Sequence, residues 1–279
     1  MRLIIFTNRD LASNLFLNHV LPHIAPYVVH IFVSDKVGKA ATTATPKGLK
    51  DLKFFEQTLP NEFISPLIDA QKRLSNDLKN ENTEGYKLMT FNELSQHYDV
   101  KIESLNNVRL EENLNKVKIL NPDLVLSVRY GKIFGNDFLK IPTRGVINLH
   151  SGRLPQYRGV LPTFRALMNN DAVLYPTLHY IEDGTIDTGG IIGFAECAVQ
   201  KDKSLLWHIL SLYPASVAMV VQAIQQIAEG KKPLADEQDD TNAAYFTFPT
   251  ADEIAVFLEK TNHVFVDGEE YAAFLELYK

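Results

Sequence analysis

The sequence predicts an α/β fold, a mostly parallel sheet flanked by helices with a small C-terminal cap, on three observations. The chain opens as strand, helix, strand; a second βα rhythm resumes near residue 100; and the strand at 145–150 ends in polar residues. Alternating βα segments are the grammar of a parallel sheet with helices on its faces, joined by right-handed crossovers.

Leu3 to Phe6 is a short apolar run before Asn8, Arg9 and Asp10, and Leu11 to Ile24 then carries apolar residues at helical spacing. Val28 to Val33 is β-branched and aromatic, a second strand. Residues 38–92 break the rhythm as a helical insertion, with a helix over Leu49 to Leu78 interrupted at Pro60 and Pro66. Its small polar stretches at 41–45 and 80–83 are expected to be mobile. The rhythm returns with Val100 to Leu105, Leu110 to Leu120 and Leu124 to Val128. Gly145 to His150 is the next strand, followed by a Gly/Pro-rich loop over Ser151 to Pro162 and a short helix over Thr163 to Met168. Leu178 to Ile181 and Gly190 to Ala195 are two further strands around an Asp/Gly-rich turn. Ser204 is placed to cap a long helix towards Ala228, with Gly230 as its stop and a kink or break expected at Pro214. The sequence thus divides into a unit over 1–230 and an extension over 231–279, in which Tyr245 to Pro249 is strand-like and Asp252 to Lys260 helical.

With 279 residues and 46% hydrophobic content, the chain can bury a sizeable core. The net charge of -6 is uneven: residues 231–279 hold 4 basic against 11 acidic residues. Gripping nucleic acid takes clustered Lys and Arg, so electrostatics point to a small or neutral partner. The lone Cys197 allows neither an intramolecular disulfide nor a multi-cysteine metal site, as suits a reducing compartment. The opening apolar run is too short for a signal peptide and no run approaches about 18 uninterrupted apolar residues, so a soluble, cytoplasmic protein without membrane association is expected.

Side chains alternate along a strand, so Asn148 and His150 share one face at the carboxyl end of theirs, where ligands bind in open α/β sheets. Thr177 and His179 alternate likewise, and Asp187 follows across a tight turn. Amide, imidazole and carboxylate together suit acyl transfer to an amine: donors hold the oxyanion of a tetrahedral intermediate and a carboxylate helps remove the proton from nitrogen. The residues also suit a plainer role. Asn148 and His150 could simply begin a polar loop with His150 packed on Tyr157, Asp187 could be a surface turn residue, and His179 a structural group.

At these positions the sequence resembles the folate-dependent formyltransferases, which act on glycinamide ribonucleotide, methionyl-tRNA and sugar amines. The resemblance rests on the Asn148-Leu149-His150, Leu154-Pro155 and Tyr157-Arg158-Gly159 signature, on Thr177-Leu178-His179, and on Ile186-Asp187-Thr188-Gly189-Gly190. Upstream, Pro122 to Phe134 resembles the family's strand and folate-binding turn. It covers roughly 95–230 and implies a Rossmann-like formyltransferase fold. It further implies a catalytic trio of Asn148, His150 and Asp187 acting on 10-formyltetrahydrofolate as cosubstrate. Asn148 and His150 would polarise the formyl oxygen, and Asp187 would orient His150 and relay a proton towards the folate nitrogen. The pterin would lie along Arg129, Tyr130, Gly131, Lys132 and Ile133, with Asp183 nearby, and the amine along Ser151, Tyr157, Arg158, Thr177 and His179. No metal is implied.

Three departures bear on the substrate. Arg129 stands where the tRNA enzymes carry a small residue, His179 and Asp187 are one position further apart than the family spacing, and the chain near Asn8 lacks the Gly-rich turn that takes a phosphate. The 49 residues after Gly230 fall short of the β-barrel of ~100 residues expected of a tRNA-formylating enzyme. The leading expectation is therefore an N-formyltransferase for a small-molecule amine, an amino sugar or amino acid derivative, with no nucleic acid or membrane partner and with a homodimer allowed. A methionyl-tRNA formyltransferase-like enzyme, a 10-formyltetrahydrofolate hydrolase and a catalytically silent folate or sugar-nucleotide binder are the alternatives. The acidic run at Asp236, Glu237, Asp239 and Asp240 is expected to be a solvated linker.

Overall fold

A computed structural model describes residues 1–35, 45–77 and 87–278. The stretches expected to be mobile lie outside these residues, apart from Thr45. The elements run β1 (Leu3–Asn8), α1 (Leu11–Ile24), β2 (Val28–Ser34), α2 (Lys47–Lys53), α3 (Ser65–Asp77), α4 (Phe91–His97), β3 (Ile102–Ser104), α5 (Glu111–Leu120), β4 (Leu124–Val128) and α6 (Asn136–Leu139). They continue with β5 (Val146–His150), β6 (Arg158–Gly159), α7 (Pro162–Met168), β7 (Val173–Leu174), β8 (Thr177–Ile181), β9 (Ile191–Phe194), β10 (Cys197–Ala198), α8 (Leu205–Ala228), β11 (Tyr245–Phe246), α9 (Ala251–Lys260) and α10 (Gly268–Leu275).

The main sheet has the order β3-β2-β1-β4-β5-β8-β9. Its first five strands are parallel, and β8 and β9 add antiparallel at one side. The pleat divides β1 between two cores: Leu3 and Ile5 pack with α1 and α8 on one face, Ile4 and Phe6 with Phe32, Tyr130 and Phe134 on the other. The strand order turns back on itself at β1 and β4, so the crevice between their carboxyl ends is the topological switch point.

Two proline expectations are corrected. Pro60 and Pro66 do not interrupt the helix over 47–77, because π-helical turns at Phe54–Thr58 and Pro60–Ile64 widen the ladder there. The Leu59 N–H bonds the Phe54 carbonyl and the Ser65 N–H the Pro60 carbonyl. Likewise α8 runs unbroken through Pro214. Its ends match expectation: the Ser204 side chain accepts from the Trp207 N–H at 3.1 Å, and Gly230 closes the helix with φ +83°. α8 is long and apolar enough to cross a membrane by composition, yet it buries twelve residues, ten of them, including Tyr213 and Val220, in the core shared with α1.

Residues 231–278 are more than a peripheral cap. β11 pairs in parallel with β6, Asp236 forms a backbone bridge with Ile191, and Phe257 and Phe265 pack on Phe164 of α7. α10, which the sequence pattern did not mark, buries Tyr271, and beyond it the Tyr278 hydroxyl bonds Asn14 of α1 at 2.5 Å.

Candidate active site

β5 and β8 bring polar side chains to one face because their register sets Asn148 opposite His179 and His150 opposite Thr177. Asn148 Nδ2 lies 3.0 Å from His179 Nε2, and His179 Nδ1 lies 2.8 Å from the Tyr180 carbonyl. A carbonyl accepts only, so the network assigns the proton to Nδ1, and Nε2 takes the Asn148 amide as acceptor. Asn148 uses one N–H this way and has a second to offer.

Asp187 reaches the same place from the loop after β8. Its Oδ2 is 3.5 Å from His150 Nδ1 and accepts the Gly159 N–H at 2.9 Å, and its Oδ1 is 3.6 Å from His179 Nε2. Burial pushes the Asp187 pKa up, but the charge of His150, the neighbouring His179 ring and the Gly159 N–H outweigh it and hold the group well below the usual carboxylate range. At neutral pH Asp187 is an anion between two imidazoles. The other His150 nitrogen, Nε2, lies 2.7 Å from the Tyr157 carbonyl, so both ring nitrogens face oxygen acceptors and an imidazolium can donate to each.

Gly159 makes this contact possible through its backbone, at φ +95° and with no room for a Cβ, which would meet the Phe246 carbonyl at 2.2 Å. Gly159→Ala is expected to cost about 1–3 kcal/mol in urea denaturation. A loss below about 0.5 kcal/mol, the level of a neutral surface change, would show that β6 and β11 can separate freely.

The other residues singled out in the sequence divide clearly. Thr177 is fully buried; its hydroxyl donates to the Gly152 carbonyl at 2.6 Å and accepts from the Leu154 N–H, so it shapes the loop rather than contacting an amine. The Tyr157 hydroxyl donates to Asp171 at 2.7 Å, and burial pushes its pKa up to about 12, so it is the carbonyl of Tyr157 that serves the site. Arg158 points to the C-terminal segment, donating to the Asp187 carbonyl, Gln238 and Asp240. Ser151 is half-buried. Asp183 lies on the surface, accepting the Thr185 N–H.

The turn after β4 departs from expectation in its side chains. Tyr130 is buried, its hydroxyl donating to the Leu105 carbonyl and its ring stacked on Phe134. Arg129, at φ +58°, sends its guanidinium inward to Asp10 at 2.9 Å, Glu56 at 2.7 Å and the Tyr213 hydroxyl at 3.1 Å. The backbone of Gly131, Lys132 and Ile133, with the partly exposed Lys132 and half-exposed Ile133 side chains, is left to meet a ligand. The Lys132 N–H is already bonded to the Tyr130 carbonyl. Val128 pairs with Leu149, so this turn leaves the same sheet edge as the His150 loop, one strand away at roughly 5 Å.

Two parts of the site were not legible in the sequence. Asp10 caps α1, accepting the Ser13 N–H at 2.7 Å, so the chain's own carboxylate fills the helix N-terminus where a phosphate could otherwise sit. The four acidic residues at 236–240 are solvent-exposed as expected, but the segment is anchored: Asp240 pairs with Arg158 at 2.6 Å and Gln238 bonds the Asp187 loop. No local pattern links residues so far apart. Among the described residues, no cluster of three or more His, Cys, Asp or Glu could hold a metal.

The formyl transferase family matches residues 69–206. Methionyl-tRNA formyltransferase of Syntrophomonas wolfei is 30% identical over 155 residues, 55% of this chain and 48% of that protein. The chain spans about half the length of the curated relatives it matches. An N-formyltransferase from Helicobacter canadensis, solved with folinic acid and dTDP-3-aminofucose, has the same fold at a TM-score of 0.56 and 16% identity, covering 97% of this chain and 82% of that one. A glycinamide ribonucleotide transformylase from Symbiobacterium toebii gives 0.55 at 14%, covering 86% and 94%. The family match takes in β5, β8 and the following loop, which carry Asn148, His150, His179 and Asp187, and the chain is similar in sequence and fold to the folate-dependent formyltransferases.

Proposed function

We propose that this chain is an N-formyltransferase that moves the formyl group of 10-formyltetrahydrofolate to a primary amine of a small metabolite, an amino sugar or an amino acid derivative. The observation that carries the reading is the largely buried Asp187 carboxylate set between His150 and His179, with the Asn148 amide on the same face. The amine nitrogen attacks the formyl carbon, a new C–N bond forms, the bond to N10 of the folate breaks, and the amine proton ends on N10. Asn148 offers its second N–H to the oxyanion. His150 contributes a proton and positive charge beside it, exchanging its Tyr157 partner as the donor settles, and Asp187 stabilises that charge. The formyl donor would lie along the backbone of Gly131 to Ile133, beside the partly exposed Lys132 side chain.

A small acceptor is favoured over tRNA by how the arginines near the site are spent. Arg158 is paired with Asp240, Arg165 is buried against Glu253, and Arg153 lies over the rings of Tyr175 and Phe194. Among the described residues, a phosphate chain would find no cluster of free guanidinium groups there. Asp10 at the α1 N-terminus weighs against glycinamide ribonucleotide in the same way.

The test is a panel of amino sugars, nucleotide-linked amino sugars and amino acid derivatives offered with 10-formyltetrahydrofolate, following tetrahydrofolate release. Release that depends on an amine supports transfer; release without one identifies a hydrolase. Initiator methionyl-tRNA is expected to bind weakly, with a shallow salt slope between ~50 mM and ~200 mM. Tight, steeply salt-dependent binding joined to formylation of the charged tRNA would replace the small amine by tRNA.

A further inference from the structure

We propose that Gln238 is the positioning residue for Asp187, so that the C-terminal segment completes the active site; this rests on the role given to Asp187 above. Asp187 sits at φ +57°, a left-handed conformation that an aspartate adopts at a cost of order 1 kcal/mol and keeps only when its surroundings impose it. What imposes it comes from 51 residues downstream. The Gln238 amide donates to the Asp187 carbonyl at 2.9 Å and to the Gly189 carbonyl at 2.8 Å, bracketing the loop on both sides of Thr188. Its Oε1 accepts from Arg158 Nε at 3.1 Å and Nη2 at 2.6 Å, and Arg158 Nε also donates to the Asp187 carbonyl at 3.1 Å. Both amide protons and the oxygen are therefore used, which a carboxylate or a thioether of the same length cannot reproduce.

The same segment holds the side-chain end of Asp187. The Gly159 N–H that fixes Oδ2 belongs to β6, and β6 is held by β11 through the register Tyr245 to Arg158 and Phe246 to Gly159. Asp236 closes the other end by its bridge to Ile191. Residues 236–246 thus clamp the backbone of Asp187 through Gln238 and its carboxylate through Gly159. Reacting groups must be held within roughly 0.5 Å, and a misplacement of about 1 Å costs ~100-fold in rate.

Two substitutions test it. Gln238→Glu keeps the acceptor for Arg158 and removes both donors; Gln238→Met removes all three functions at nearly constant volume. Each is expected to lower kcat ~10- to 100-fold with the KM for 10-formyltetrahydrofolate within about 2-fold. The carbon-13 ring resonances of His150, assigned with His150→Gln, are expected to shift towards those seen in Asp187→Asn. Unchanged kcat in both variants, or lowered kcat with unmoved His150 resonances, would overturn the proposal. If one variant does not fold, the other is read alone. If neither folds, Gln238→Asn must reproduce the His150 shift, and its failure to do so overturns the proposal. Should wild type formylate no amine, the function reading falls while the resonances still decide whether Gln238 places Asp187.

Discussion

Replacing His150 with alanine is expected to lower kcat ~100-fold or more while a stable folate analogue still binds with near wild-type affinity. His150 has acceptors at both ring nitrogens, so it can carry a positive charge at the place where the proposed reaction would form its oxyanion. Alanine removes the donor and leaves Asp187 buried beside a void. The turn at Gly131 to Ile133 belongs to the neighbouring strand and is untouched, so the loss falls on turnover and not on the donor. Calorimetric titration with the analogue separates the two, and turnover within a few-fold of wild type would remove His150 from the mechanism. Asp187→Asn makes the complementary case. The depressed carboxyl contributes stability that is present above about pH 4 and lost as pH falls through its folded value, so the asparagine variant is expected to be both slow and less stable at neutral pH.

Replacing Arg129 with methionine is expected to cost about 3–5 kcal/mol of stability near neutral pH, because it strands two buried carboxylates. Asp10 has no exposed side-chain surface and Glu56 only 8%, with the guanidinium between them. Burial pushes Glu56 up to about 7 from its ordinary 4.5, against the pull of Arg129 and with added repulsion from Asp10. The sign follows from linkage: a carboxyl whose folded value lies above its unfolded one favours folding in its protonated form, so it opposes folding increasingly as pH rises from about 4.5 through 7. Without Arg129 that rise lies higher still, so the cost of the methionine variant should be largest at about pH 7.5 and shrink at about pH 5. Urea denaturation at both values checks it. A loss below about 1 kcal/mol that does not vary with pH would mean that water reaches the cluster and screens it.

This cluster also explains what the helical insertion contributes. Glu56 lies in the π-helical turn that accommodates Pro60, and its bond to Arg129 ties the 47–77 helix to the switch point of the sheet. Arg129, which stood out in the sequence only as a departure from a small residue, is thus spent on architecture, leaving the backbone after it for the ligand.

The sequence by itself determined the α/β class, most strand and helix positions, and half of the site, because these are written in short-range periodicity. Alternation along 146–150 puts Asn148 with His150, and along 177–181 Thr177 with His179, on one face of each strand; the β5–β8 register then joins the two faces. Capping signals at Ser204 and Gly230 are equally local. Only the tertiary structure decided that Asp187 is largely buried and anionic, that Tyr130 and Thr177 face inward, and that Arg129 answers to Asp10 119 residues away. It also decided that Gln238, in a run that looks like solvated linker, brackets the Asp187 loop 51 residues upstream. Such pairs leave no periodic trace, since what fixes them is the folded path of a distant segment and the low dielectric of the space it encloses, and neither exists until the sheet has formed.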